Sequence, residues 1–179
     1  MSTISHHPSR KLMPGMATPE LTVPTVGGDI WRLQDQRPQN FTMIVFYRGL
    51  HCPICQAYLA NLEALLDPFA AMGIGAIAVS GDPEEKAGQA KTDWGLKKLT
   101  LGYGQSVESM RDWGLYISDQ AFDYEPQQFG EPGLFLVRPD GTLYYAAINN
   151  APFGRPNLNE FQQMLGFILE KNYPTRGMG

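Results

Sequence analysis

The stretch that most constrains this chain is "FTMIVFYRGLHCPICQAYLANLEALL", residues 41–66. Its opening, 41–47, is apolar and β-rich, the pattern of a central strand covered on both faces. From residue 53 the period changes. Leu59, Leu62, Leu65, Leu66 and Phe69 recur at three-to-four spacing, which predicts an amphipathic helix over 53–72. "IGAIAVS" (74–80) then reads as a second buried strand. Strand, crossover helix and strand in that order require a parallel pair. Both cysteines of the chain, Cys52 and Cys55, fall on the first strand-to-helix junction.

The flanking segments complete an α/β pattern. "LTVPTVGGDIWRLQD" (21–35) has two alternating segments around Gly27-Gly28, a hairpin signal. "GDPEEKAGQAKTDWGL" opens a helix, with Asp82 expected as N-cap, Pro83 at the first position and acids in the first turn. "LTLGYG" (99–104) reads as a short strand, and "SVESMRDWGL" (106–115) as a short helix capped by Ser106. "YISDQAFDYEPQQFGE" (116–131) has no period and reads as a loop. "GLFLVRPDGTLYYAAIN" (133–149) predicts two strands about an Asp140-Gly141 turn, expected to add antiparallel edges. "NLNEFQQMLGFILEKN" (157–172) closes the chain as a helix with Phe161, Leu165, Ile168 and Leu169 on one face. The expectation is a flexible tail over 1–20 and a single domain over 21–175. That domain has a central mixed sheet flanked by helices, with an N-terminal β-hairpin extension, in an order that resembles the thioredoxin-like fold. In open α/β sheets the functional crevice lies beyond the carboxyl ends of the strands. "RGLHCPIC" falls there.

Composition removes several classes of function. A length of 179 residues suits one domain, and 43% hydrophobic with 18% charged residues places the chain among folded globular proteins. A net charge of −4 supplies no basic field for a phosphate backbone, so no nucleic acid is expected. The charge-free stretch "PFAAMGIGAIAVSG" (68–81) runs 14 residues, short of the ~20 a membrane helix needs, so no membrane partner is expected. The polar start "MSTISHHPSRKLMPGMATPE" lacks an apolar signal core, which makes the cytoplasm the expected location. Reducing surroundings disfavour a structural disulfide and favour a catalytic, metal-binding or inert pair.

With Cys52 as helix cap, Pro53 takes the first helical position, where its missing N–H costs nothing. Free N–H groups and the positive helix end then favour a thiolate over a thiol. A second sulfur one turn on can attack a mixed disulfide and release product. The rival reading is two small hydrophobes. Zinc would want four ligands, and only His51, His6 and His7 accompany the cysteines, so no metal is expected. Covalent haem would want histidine where Gln56 stands, and no cofactor is expected. Arg48, four residues before Cys52, could stabilise a thiolate or simply be solvated at a strand end. His51 could lower the neighbouring thiol's pKa when charged, or lie exposed beside it. Trp94 and Trp113 read as core or groove wall. Phe122, Tyr124 and Phe129, set among acids, could shape a partner groove.

"MIVFYRGLHCPICQAYLANLEAL", "IAVSGDPEEKA" and "GLFLVRPDGTLYYAAINNAPFGRPNLNEF" resemble the peroxiredoxin branch of the thioredoxin superfamily, the alkyl hydroperoxide reductase/thiol-specific antioxidant proteins, over about residues 20–170. The resemblance puts the family's peroxidatic cysteine on Cys55 and its peroxide-binding threonine or serine on Cys52. The family's loop proline falls on Arg48 and its catalytic arginine near Pro132, departures that should weaken peroxide turnover. Arg155 matches a family arginine near the peroxide pocket and by resemblance could partly replace the missing one, the rival reading being a surface ion pair. The replacements are those of a thioredoxin, whose proline before the facing strand is cis, so by resemblance Glu131–Pro132 is a candidate cis bond, the alternative being a trans proline that opens an edge strand.

The resulting expectation is a thiol oxidoreductase cycling Cys52 and Cys55 between dithiol and disulfide, with Cys52 the nucleophile, Cys55 the resolving thiol and a disulfide as substrate. The first alternative is a thiol peroxidase with Cys55 peroxidatic and Cys52 resolving. The second is a non-enzymatic redox switch. The expected partners are a thioredoxin-type or glutathione reductant and a disulfide or hydroperoxide substrate. The resemblance also raises a homodimer.

Overall fold

The computed structural model describes residues 11–179. In chain order these form β1 (Thr22–Pro24), β2 (Ile30–Arg32), β3 (Phe41–Phe46), α1 (Pro53–Ala71), β4 (Ile74–Val79), α2 (Glu84–Asp93), β5 (Thr100–Gly102), α3 (Val107–Asp112), β6 (Ile117–Asp119), β7 (Gln128–Gly130), β8 (Gly133–Val137), β9 (Leu143–Ile148) and α4 (Leu158–Lys171). The central sheet runs β5-β4-β3-β8-β9. β3 pairs in parallel with β4, and β4 with β5, as the crossover helices require, whereas β8 and β9 join antiparallel. Of the 133–149 hairpin only β9 is an edge. β8 lies inside the sheet between β3 and β9. This is a thioredoxin-like α/β fold, with the β1–β2 hairpin as its N-terminal addition.

All six residues of β3 are buried, because the sheet is covered on both faces. Met43 and Val45 pack with Leu59 and Leu62 of α1 and with Leu158, Phe161 and Leu165 of α4. Ile44 and Phe46 point the other way, into a cluster with Trp113, Met110, Phe135 and Val23. Each such side chain stabilises the fold by about 1.5–3 kcal/mol. The two-sided clamp fixes where β3 ends, and with it the position of the turn that follows.

Three expectations are corrected. Asp82 does not cap α2: that helix begins at Glu84 with Pro83 at the cap position and no side-chain cap. The buried Asp82 carboxylate turns instead toward Leu50, whose N–H it accepts at 2.7 Å. The segment 116–131 is not all loop: β6 and β7 pair antiparallel within it, too short and too polar to show an alternating pattern. The Glu131–Pro132 bond is trans, with no cis peptide among the described residues. Pro132 opens β8, where a ladder donor is not needed, and its carbonyl accepts the Asn149 N–H at 3.0 Å.

Within the expected tail, Gly15 and Thr18 donate to Leu143 and Gly141, and Met16 accepts from Leu143, so this stretch lies along the 141–143 segment. His6 and His7 lie outside the described residues. No helix among the described residues is long and apolar enough to cross a membrane.

Candidate active site

The chain leaves β3 at Phe46 and reverses at Gly49, whose φ of +137° suits glycine. Cys52 follows in extended conformation as the cap of α1, with Pro53 at the first helical position, as the spacing requires. The Cys55 backbone N–H donates to Cys52 Sγ at 3.2 Å. Both sulfurs are free thiols, and both residues are buried, Cys52 at 1% and Cys55 at 0% exposure.

The pair shares protons unequally. Cys52 is drawn down to about 6, first by the hydrogen bond from the Cys55 thiol, then by the Cys55 backbone N–H and the charges of Arg48 and Arg155, against its own burial. Cys55 is pushed up because its proton serves Cys52 and because it is buried. Arg155 and the Arg48 backbone N–H oppose that rise. Both shifts favour the negative charge on Cys52 over Cys55.

Arg155 arrives on the segment that follows β9, the edge strand beyond β8. Asn149 Nδ2 bonds the Gly154 carbonyl at 3.1 Å, and the Tyr58 hydroxyl ties α1 to the Pro156 carbonyl at 2.8 Å. The turn so held aims the Arg155 guanidinium over the Tyr58 ring, 4.2 Å from its centroid, and Nη2 donates to Cys55 Sγ at 3.2 Å. Its Nη1 is buried with no partner. Ile54, Tyr58, Phe153 and Arg155 line a cleft of about 360 Å³ on this side.

Arg48 is neither solvated nor free. Its Nε lies 3.1 Å from Glu131 Oε2, its Nη2 3.7 Å from Glu125 Oε1, and its Cζ 4.6 Å from the Phe129 centroid. Ser118 donates to Glu131 at 2.6 Å, so the β6–β7 hairpin is bound to the cysteine turn through charge. Backbone N–H groups of Ala121 and Phe122, with Arg48 adding to them, hold the Glu125 carboxyl below the usual range. His51 is not exposed beside the nucleophile. Its ring lies edge-on to Phe129 at 4.8 Å, and burial, followed by the charges of Arg48 and Lys86, lowers it to about 4. A neutral imidazole lends no charge to Cys52.

The structure thus brings Cys52, Cys55, Arg48 and Arg155 together at one end of the sheet. Pro132 sits one residue beyond the last β3–β8 pair, Phe46 with Gly133. Phe129 is buried under Arg48 and His51, whereas Phe122 and Tyr124 stack on each other in the open. Trp113 is core, and Trp94 packs against Tyr47. Glu125, Glu131 and Asp82 had no signal as site residues in the sequence. Asp82 before Pro83 reads as a capping pair, and acids in an aperiodic segment read as solvated.

A family model described as the AhpC/TSA family matches residues 14–146. The chain belongs to the AhpC/TSA family. It is a peroxiredoxin-like member of the thioredoxin superfamily and a thiol-dependent oxidoreductase enzyme. Among solved structures it is similar to the peroxidoxin BcpB of Mycobacterium tuberculosis, at 14% identity over 88% of this chain and 99% of that one, with a TM-score of 0.71. The reduced 2-Cys peroxiredoxin of Plasmodium vivax matches at 18% identity, 89% and 84% coverage and a TM-score of 0.72. A cysteine-to-serine variant of peroxiredoxin 6 of Arenicola marina matches at 17% identity, 91% and 76% coverage and a TM-score of 0.75. At these identities the likeness is one of fold. No curated protein matches the sequence.

Proposed function

We propose that this AhpC/TSA protein reduces hydroperoxides, with Cys52 as the attacking thiolate and Cys55 as the resolving thiol. The observation that carries the reading is the buried pair of free thiols at one helix start, with the Cys55 N–H on Cys52 Sγ and the Arg155 guanidinium 3.2 Å from Cys55 Sγ. A protein disulfide needs sulfur surface to pack against, and exposures of 1% and 0% offer little. A hydroperoxide presents two oxygens at its reacting end. The substrate proposed here therefore differs from the disulfide expected of a Cys-x-x-Cys pair, while the roles of the two cysteines stay as the helix start predicts.

In the first step the Cys52 thiolate attacks the distal oxygen, the O–O bond breaks, and the alkoxide leaves and is protonated to the alcohol. Cys52 becomes a sulfenic acid. The Cys55 sulfur then attacks Cys52, the hydroxyl departs as water, and the disulfide forms. A thiol reductant, thioredoxin-type or glutathione, returns two electrons and two protons. Arg155 stabilises negative charge on the sulfurs, and its unpartnered Nη1 is a donor available to the leaving oxygen. Arg48, already neutralised by carboxylates, contributes less field than its charge alone implies. Pro132 stands just before the start of β8, one residue beyond the Phe46–Gly133 pair.

One contact favours the opposite assignment: Arg155 lies on Cys55, the position the family resemblance gives to the oxidised sulfur. Trapping with a sulfenate-selective probe in single-cysteine variants separates the two. Under the proposal C55S accumulates a sulfenate at Cys52 on hydrogen peroxide treatment and C52S does not. A sulfenate at Cys55 in C52S, with none in C55S, reverses the roles.

A further inference from the structure

Asp82 is a buried carboxylate, 3% exposed, to which the reaction above assigns no part. It leads out of β4, where its backbone N–H donates to Ser80 Oγ at 3.2 Å and its carbonyl accepts from the Gly104 N–H at 2.8 Å. Both ends of the residue are thus fixed to the sheet side of the crevice. Its side chain crosses to the cysteine turn. There Oδ2 accepts the Leu50 N–H at 2.7 Å.

The geometry of that one bond matters because of what lies on the same peptide unit. The amide joining Gly49 to Leu50 has two polar ends. Its N–H goes to Asp82, and its carbonyl accepts the Cys52 N–H at 3.2 Å. The plane is held at both ends, by the carboxylate and by the residue that carries the nucleophilic sulfur. Gly49 has no room to move toward Asp82: a Cβ there would lie 2.6 Å from Oδ1 and 2.8 Å from Oδ2.

We propose that Asp82 is a positioning residue for the reaction: by clamping the Gly49–Leu50 peptide it fixes the Cys52 backbone at the mouth of α1, so that the Cys52 sulfur stays on the Cys55 N–H. The carboxylate acts through backbone and touches neither sulfur. The inference rests on the Cys52 thiolate of the proposed function and is independent of which oxidant is used. Lys86 is the charged group whose field acts on Asp82. Removing the Asp82 charge on its own makes a nearby thiolate easier to form, whereas removing the acceptor frees the turn and makes it harder. The two contributions have opposite signs, so they are separable.

The test compares D82A, D82N and G49A by the pH midpoint of Cys52 alkylation, mapped by mass spectrometry on protein shown by circular dichroism to be folded. D82N removes the charge but keeps an oxygen acceptor for Leu50. D82A removes both. G49A disturbs the same peptide from the other side. The expected result is a midpoint raised by about one pH unit in D82A, about tenfold less thiolate below the midpoint, with D82N at or below the wild-type value. G49A shifts in the same direction as D82A and carries the test if D82A does not fold. A role confined to holding the fold together would lower the melting temperature and leave the midpoint of the folded protein where it was. An unchanged midpoint in folded D82A and G49A overturns the proposal, as does a rise in D82N equal to that in D82A. Should wild-type protein fail to consume peroxide while D82A still shows the shift, the oxidant is wrong and the positioning role stands.

Discussion

The Arg155 guanidinium lies 3.2 Å from the Cys55 sulfur, although the two residues are 100 positions apart in the chain. The contact joins the 149–156 turn to the start of α1 and brings a positive charge directly onto the buried Cys55 sulfur. A hydrogen bond to a charged group contributes about 1.5–3 kcal/mol, or roughly 10–100-fold in a rate that depends on the thiolate. R155M is therefore expected to slow thiol oxidation by hydrogen peroxide at neutral pH by about that factor. R155K should recover part of it, because lysine keeps the charge and loses the fork. Pseudo-first-order thiol loss against peroxide concentration checks this, and a rate within twofold of wild type in R155M contradicts it.

Arg48 serves the β6–β7 hairpin at least as much as the sulfurs. Glu131 keeps a side chain 4% exposed, and R48M would leave that carboxylate without its cation. Removing one partner of a buried ion pair costs of order 3 kcal/mol, whereas removing both is close to neutral. R48M is expected to lower the urea midpoint substantially and E131Q/R48M to recover much of the loss. Equal loss in the single and double variants would show that the pair is not what binds the hairpin.

His51 gives the protein a pH dependence of known sign. Its folded value, about 4, lies below the ordinary 6.5 because the ring is partly buried and faces Arg48. Between those values the unfolded chain binds a proton that the folded chain does not, so this residue makes stability fall as pH drops from 6.5 toward 4. Above 6.5 it contributes no slope. Urea melts at pH 7 and pH 5 should show wild type losing more stability than H51Q over that interval. Equal losses would place the imidazole in ordinary solvent contact.

The elements with a strong period were legible in the sequence. β3, α1 and β4 lie where the apolar run and the Leu59–Phe69 stripe place them, and the Asp140-Gly141 turn joins β8 to β9. Ser106 and the Cys52-Pro53 cap were readable because capping chemistry is local. What was not readable depends on contacts between distant segments. Asp82 has the chemistry of a cap, and only the close approach of the 49–50 turn diverts it. β6 and β7 are three residues each, held by Glu125 and Glu131, whose partner Arg48 is some 80 positions away. Arg155 could be singled out by resemblance alone, since nothing in "NNAPFGRP" says which side chain it will meet.

The most direct test of hydroperoxide reduction at this site is one equivalent of hydrogen peroxide added to the fully reduced protein, followed by intact and peptide mass spectrometry. The account predicts that the peroxide disappears stoichiometrically, that the product carries a single Cys52–Cys55 disulfide, and that a thiol reductant restores the dithiol for another round. Peroxide that persists in the presence of both free thiols, while the same protein reduces insulin disulfides, would contradict it.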